Sequence, residues 1–147
     1  MTRAPRVVYT AGVFDLLHRG HLNILWQSKQ LGDILIVGVV TSDGVEAYKG
    51  RSPVQEGFAR QRQVQALPFV DAAVVQLTTD PTPNLERYLP DVMTHADGAD
   101  DWSHLKAQVE ALGIEYVNLP YTAGISTTAL REKASRDRPL AYDYELG

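Results

Sequence analysis

Hydrophobic residues along this chain fall into two kinds of pattern. Short unbroken apolar runs, such as Val7-Val8-Tyr9 and the stretch from Ile34 to Val40, have the length and content of strands covered on both faces. Between such runs lie segments in which apolar positions recur every three or four residues. His21, Ile24, Leu25, Ser28 and Leu31 share one helical stripe, and Gly32 reads as the C-terminal cap of that helix. Taken in order, the pattern predicts strands at 6–11, 33–40, 72–77, 92–95 and 114–119. Helices are expected from Gly20 to about 31, from near Pro53 to 67 ahead of Pro68, at 85–89, at 103–112 with Gly113 as its stop, and at 127–136. Residues 41–53, 78–84, 96–101 and 120–125 read as connections, and 137–147 as a C-terminal tail without period.

Strands alternating with helices through short turns predict an α/β fold. The expected form is a Rossmann-like, doubly wound parallel sheet of five strands in a single domain, residues 1–136. Its first strand–helix–strand unit calls for a right-handed crossover. In such sheets ligands bind beyond the carboxyl ends of the strands. The segments 10–18, 41–53, 96–101 and 120–126 all follow strands, so they are expected to converge on that edge.

Composition narrows the partners. A chain of 147 residues is long enough for one domain that buries roughly two-thirds of its unfolded surface. The net charge of -4 argues against a nucleic-acid backbone as partner, which would want a basic face. With no cysteine, disulfides and thiolate metal sites are excluded. The longest apolar run is too short to span a bilayer and no apolar leader opens the chain, so a cytoplasmic protein without membrane contact is the expectation.

The candidate chemistry begins where the first strand ends. Gly12-Val13-Phe14-Asp15-Leu16-Leu17-His18-Arg19-Gly20-His21 puts a Gly-marked turn and a helix N-terminus directly after a strand, an arrangement that offers free N–H groups to an anion. His18 and His21, three residues apart, lie about one turn from each other on one side of that helix end. Taken alone, His21 reads equally well as a hydrogen-bonded core histidine, and a metal pair would lack an evident third ligand. A second constellation, Gly124-Ile125-Ser126-Thr127-Thr128, opens the last helix. Ser126 is a plausible N-cap, but Ala129 stands where a capping box would place an acid, so that helix end keeps its positive character. Lys49 is a loop lysine, a solvated charge unless recruited. Arg60 precedes Val64 by four and Leu67 by seven, so its guanidinium points into the protein and needs an anionic partner, either a structural carboxylate or a substrate phosphate. Arg62 faces the opposite way.

The pattern G-x-F-D-x-x-H-x-G-H resembles the signature of the small nucleotidylyltransferases, a group that includes glycerol-3-phosphate and ethanolamine-phosphate cytidylyltransferases and heptose adenylyltransferases. Residues 124–128 are similar to the I-S-T-T element of the same family, and the likeness extends over roughly residues 5–135. The resemblance implies nucleotidylyl transfer with release of pyrophosphate. It implies that Ala11, Gly12, Val13, Phe14, His18, His21, Ala96, Asp97, Tyr121, Gly124, Ile125, Ser126 and Thr127 hold the nucleotide. His18, His21 and Lys49 would act on the reacting phosphate, with Ser126 and Thr127 on the departing pyrophosphate. Lys49 and Arg60 would hold the acceptor, and Arg60 matches the family arginine ahead of the V-D element, here Val70-Asp71. Mg²⁺ would bridge the phosphates, and a homodimer is the common assembly.

Two features bear on the nucleotide. The segment His95-Ala96-Asp97-Gly98-Ala99-Asp100-Asp101-Trp102 departs from the family's compact acidic loop by Ala96 and by extra residues, leaving open which of Asp97, Asp100 and Asp101 is used. Tyr121, where glycerol-3-phosphate enzymes carry arginine, leans toward ATP and the heptose adenylyltransferases. Residues 77–85, however, resemble the cytidylyltransferase domain attached to phosphoenolpyruvate mutase in phosphonate pathways. The balance favours CTP, with a small phospho-alcohol or phosphonate as acceptor. A nucleotide-sensing module without turnover would carry the same motifs.

Overall fold

The computed structural model describes residues 3–96 and 103–120. They form β1 (Val7–Gly12), α1 (Arg19–Lys29), β2 (Ile34–Val40), α2 (Ser42–Lys49), α3 (Gly57–Gln65), β3 (Ala72–Gln76), α4 (Thr82–Tyr88), β4 (Val92–Ala96), α5 (Ser103–Ala111) and β5 (Glu115–Leu119). The five strands make one parallel sheet in the order β3-β2-β1-β4-β5. The chain therefore winds outward on one side of β1, then returns and winds outward on the other. The place where the winding reverses, at the carboxyl end of β1, is where such sheets open a crevice.

Both faces of the sheet are covered, which is why its strands read as unbroken apolar runs. On one face Leu25 of α1 and Val64 of α3 pack with Val8, Leu35, Val37 and Val92. On the other, Leu85 of α4 and Leu105 and Val109 of α5 pack with Tyr9 and Met93. Register is set at the opposite edge by a repeated device, an aspartate immediately before a strand. The Asp33 carboxylate accepts a hydrogen bond from Arg6 N (2.7 Å), Asp71 from Leu35 N (2.8 Å) and Asp91 from Val7 N (2.8 Å). Each satisfies an amide at the start of the adjacent strand, and the carboxyl ends of the strands come out level.

Several boundaries differ from the sequence pattern for local reasons. Residues 41–53 are not simply a polar connection. Thr41 Oγ1 accepts from Gly44 N (3.0 Å) and caps α2, while Gly50 closes the helix in the left-handed conformation with φ of 75°. Lys49 is thus the last residue of a helix rather than part of a flexible loop. The next helix starts at Gly57, later than Pro53 suggested. α4 starts at Thr82, where the Asp80 carboxylate accepts from Thr82 N (3.0 Å), three residues before the expected position. Gly32 is not a left-handed cap, since α1 ends at Gln30 in the right-handed region. A Cβ at Gly32 would stand 2.7 Å from the Arg6 carbonyl oxygen and from a Val8 methyl, so that glycine is there for close approach to β1.

Candidate functional site

The loop after β1 is held in a strained shape by its neighbours. Phe14 and Leu16 both adopt left-handed backbone, with φ of 54° and 52°, a conformation costing about 1–3 kcal/mol per non-glycine residue. The Phe14 ring folds back over Gly12, where an added Cβ would lie 2.9 Å from it, and this explains the Gly-x-Phe spacing. Two cross-links fix the loop. The Asp15 carboxylate, 1% exposed, accepts from Val54 N (2.8 Å) and Gln55 N (3.0 Å), and Gln55 Oε1 accepts from Leu16 N (2.9 Å). Asp15 therefore ties the signature loop to the segment joining α2 and α3.

His18 and His21 form a reciprocal cap at the start of α1. His18 Nδ1 accepts from Gly20 N (3.0 Å), and His21 Nδ1 accepts from His18 N (3.2 Å). The rings stack with centroids 3.9 Å apart, and Phe14 meets His21 edge-on at 5.6 Å. Because both Nδ1 atoms accept, each neutral ring carries its proton on Nε2. His18 Nε2 is buried with no hydrogen-bond partner among the described residues, a donor whose burial costs about 1–3 kcal/mol unless an acceptor arrives. Burial, and then the neighbouring His18, push the His21 pKa down to about 3, and burial lowers that of His18 as well. Both rings are thus uncharged, each with its proton on Nε2 and Nδ1 committed to the backbone.

The depressed pKa fixes the sign of a pH effect. The unfolded chain binds a proton at each histidine near pH 6.5 while the folded chain does not, so the stabilisation is present above about 6.5 and lost as pH falls toward the folded value. The His21 ring cross-peak in ¹H–¹³C NMR is expected to hold its neutral position from about pH 8 to about pH 5. A midpoint near 6.5 for that ring would contradict the double cap.

Arg60 departs from expectation. It points inward as its spacing implies and is 0% exposed, with its donors turned to the protein. Its Nη1 donates to the carbonyls of Val13 (2.8 Å) and Val40 (2.8 Å), its Nε to that of Gln55 (2.9 Å), and its Nη2 to Ser42 Oγ (3.1 Å). The sequence reading required an anionic partner, a structural carboxylate or a substrate phosphate, and assigned the residue to the acceptor. Three carbonyls and a hydroxyl take its N–H groups, and Asp15 is the structural carboxylate nearby, whose charge partly offsets its desolvation. One guanidinium so joins the ends of β1 and β2 to the segment before α3. Arg62 lies outside, over the exposed Phe58 ring at 5.5 Å.

At the carboxyl edge of the sheet a cleft of about 170 Å³ opens among Ala11, Gly12 and Val13 of β1 and its loop, Val40, Gln76 and His95 at or next to the other strand ends, Met93 deeper in β4, and Tyr48 and Lys49 of α2. It lies on the α4/α5 face of β1, sharing Met93 and Leu105 with that core. The structure thus brings Ala11, Gly12, Val13 and Lys49 together at one cleft, and His18, His21 and Phe14 together at the start of α1. Ala96 closes β4, partly buried. Asp97, Asp100, Asp101, Tyr121, Gly124, Ile125, Ser126 and Thr127, together with the expected last helix and the 137–147 tail, lie outside the described residues. Tyr48, Gln76 and Met93 were not singled out from the sequence. Position at a strand's carboxyl end was the available signal for Gln76, while Met93, second in β4, carried none. The cap pair Thr41 and Gly50 was the signal that would have put Tyr48 beside Lys49 on a helix.

Comparison with known proteins gives matches over most of the chain. A family model described as cytidylyltransferase-like matches residues 9–133. The chain is 40% identical over 133 residues to the bifunctional protein HldE of Azorhizobium caulinodans, covering 88% of this chain and 27% of that one. It therefore spans about a quarter of the HldE length. It is 36% identical to the FAD synthase of Pyrococcus horikoshii, covering 81% of this chain and 82% of that one. Among solved structures, the lipopolysaccharide core biosynthesis protein of Thermoplasma volcanium superposes with a TM-score of 0.69 at 29% identity, over 81% of this chain and 98% of that one.

Proposed function

This chain belongs to the cytidylyltransferase-like family and is a nucleotidyltransferase, and from that premise we propose that it transfers a nucleotidyl group from CTP to a small phosphate or phosphonate acceptor. The reaction is in-line attack of an acceptor oxygen on the α-phosphorus. A new O–P bond forms, the bond between the α-phosphorus and the bridging oxygen breaks, and pyrophosphate leaves with the electron pair. The acceptor is already ionised at neutral pH, so the protein needs to supply position and charge stabilisation rather than a base.

The observation that carries the transfer chemistry is the histidine pair, while the choice of CTP rests on the resemblance of residues 77–85. Both Nδ1 atoms are committed to the backbone, which leaves His18 and His21 as Nε2–H donors. Such groups suit phosphate oxygens that gain charge in the transition state, and they do not suit proton abstraction. Lys49, at the lip of the cleft, is proposed to bridge the α-phosphate and the acceptor, and Ser126 and Thr127 to receive the pyrophosphate. Mg²⁺ belongs to the same proposal. The ion would supply charge neutralisation at the nucleotide's phosphates; among the described residues no group of three or more His, Asp or Glu converges on one point. A pairing of two chains belongs to the same proposal; Val75 in the edge strand β3 and Leu77 just after it are exposed apolar residues. Among the described residues no helix is long and apolar enough to cross a membrane.

A second reading, ATP as donor, is favoured by the likeness to FAD synthase, whose product carries an adenylyl group. Thermal unfolding with each nucleotide and Mg²⁺ separates the two, because a ligand that binds the folded state raises the transition in proportion to its affinity. A larger rise with CTP than with ATP is expected, and the reverse would transfer the proposal to ATP. A rise with nucleotide but no pyrophosphate from any phosphate or phosphonate acceptor would leave a nucleotide sensor.

A further inference from the structure

The turn ahead of the histidine pair depends on a side chain from outside it. Leu16 lies two residues before His18, is 4% exposed and sits in left-handed backbone with φ of 52°. Its amide donates to Gln55 Oε1 (2.9 Å), in the segment joining α2 and α3. A backbone N–H requires an acceptor, so the oxygen of the Gln55 carboxamide, not its nitrogen, faces Leu16. From Leu16 the chain runs through Leu17 into the cap, where His18 N donates to His21 Nδ1 (3.2 Å) and His18 Nδ1 accepts from Gly20 N (3.0 Å). The backbone angles at Leu16 therefore set the direction in which the His18 ring leaves the turn.

Gln55 is itself anchored. Its N–H donates to Asp15 Oδ1 (3.0 Å), and its carbonyl accepts from Arg60 Nε (2.9 Å). Any residue but proline could make those two backbone contacts. The contact to Leu16 is different, because it needs an acceptor oxygen at the end of a two-carbon stem, which only Gln and Glu provide. Left-handed backbone at a leucine is strained, and stripping a buried amide of its acceptor carries a penalty of the same order. With the oxygen gone, both effects favour rotating Leu16 out of that conformation. The Asp15 contacts hold the neighbouring residue by its side chain and leave the Leu16 amide to Gln55.

Resting on the nucleotidyl-transfer reading, we propose that Gln55 is a positioning residue for that reaction: its carboxamide oxygen keeps Leu16 in the left-handed turn and thereby aims His18 Nε2 at the reacting phosphate. Gln55 acts through Leu16 and His18, not on the nucleotide. His18 Nε2 is buried with no hydrogen-bond partner among the described residues, so the backbone that carries the ring fixes its direction. A preorganised donor displaced by about 1 Å loses much of its effect, and the loss falls where phosphate charge is greatest, in the transition state. Turnover is therefore expected to suffer where nucleotide affinity does not.

The test uses the full chain and two substitutions. Gln55→Met keeps the stem and removes the oxygen. Gln55→Glu keeps an acceptor oxygen at the same reach, with the Arg60 guanidinium beside it to offset the added charge. Pyrophosphate release is measured well below the unfolding transition, with Mg²⁺, whichever nucleotide gives the larger thermal shift, and glycerol 3-phosphate or 2-hydroxyethylphosphonate as acceptor. In Gln55→Met, kcat is expected to fall at least about tenfold while the KM for nucleotide changes less than about threefold. In Gln55→Glu, kcat is expected to return to within about threefold of the unaltered chain. A second readout needs no substrate. Gln55→Met is expected to shift the His18 ring cross-peak in ¹H–¹³C NMR and to speed exchange of the Leu16 amide at least about tenfold relative to that of Val8 in the core, and Gln55→Glu to reverse both. A lower unfolding transition in Gln55→Met with kcat and the His18 cross-peak unchanged would make Gln55 a structural residue only and overturn the proposal. Gln55→Glu as slow as Gln55→Met would overturn it too, by tracing the effect to packing rather than to the oxygen. No pyrophosphate from the unaltered chain with either acceptor counts against the transfer reading, and the NMR readout then decides the placement of His18 by itself: a moved cross-peak supports it and an unmoved one overturns it.

Discussion

His18→Ala and His21→Ala are each expected to lower turnover at least about a hundredfold, the loss that follows removal of one preorganised donor from developing negative charge. Alanine removes two things at once, because each ring also caps α1: His18 Nδ1 receives Gly20 N and His21 Nδ1 receives His18 N. Loss of such a cap costs about 1 kcal/mol of stability, far too little to empty the folded state. His18→Asn separates the two roles. Asparagine is among the best N-cap residues, and its carboxamide oxygen can accept the same Gly20 amide, but it is too short to place a donor where His18 Nε2 stands. The unfolding transition of His18→Asn is therefore expected to stay close to that of the unaltered chain, while kcat, measured by pyrophosphate release at saturating nucleotide, stays at the alanine level. Full turnover in His18→Asn would mean that the imidazole serves the helix alone.

The second large effect concerns stability. Arg60→Met keeps the straight apolar stem and deletes the guanidinium, which strands the carbonyls of Val13, Val40 and Gln55 and leaves the buried Asp15 carboxylate without its counter-charge. Breaking one side of a buried charged network typically costs about 3–5 kcal/mol. A fall of that size is expected in the free energy of urea unfolding, with the signature loop the first region to lose amide protection. Arg60→Lys should recover little of it, because a compact ammonium cannot reach four acceptors that lie in different directions. A residue serving only to bind the acceptor would behave otherwise. Arg60→Met would then unfold normally and raise the acceptor KM alone, and that result would restore the substrate role read from the sequence.

The contrast between Arg60 and the histidines shows where sequence reasoning carried and where it stopped. The spacing of Arg60 from Val64 and Leu67 was enough to place its side chain inward, since that depends only on the helical period. Its partners were not legible, because Val13, Val40, Ser42 and Gln55 come from three separate segments and three of the four contacts are backbone carbonyls, which every residue has. Lys49 was assigned to the right edge of the sheet but to a loop. Thr41 and Gly50 were overlooked as caps of a helix whose apolar face is too short to announce itself. Gly32 stood where a helix stop belongs, and only the nearness of Arg6 and Val8 shows that it serves the packing of α1 against β1.

The chain's own pattern determined the five parallel strands, the edge at which their loops gather and the family to which the signature belongs. Each of these follows from local period or from a contiguous string of residues, and needs no knowledge of what lies across the fold. Tertiary structure alone decided that the two histidines cap each other as neutral rings and that Asp15 and Arg60 brace the signature loop. Those facts depend on which backbone groups and side chains meet after the sheet has formed, and such meetings between distant segments leave no period in the sequence.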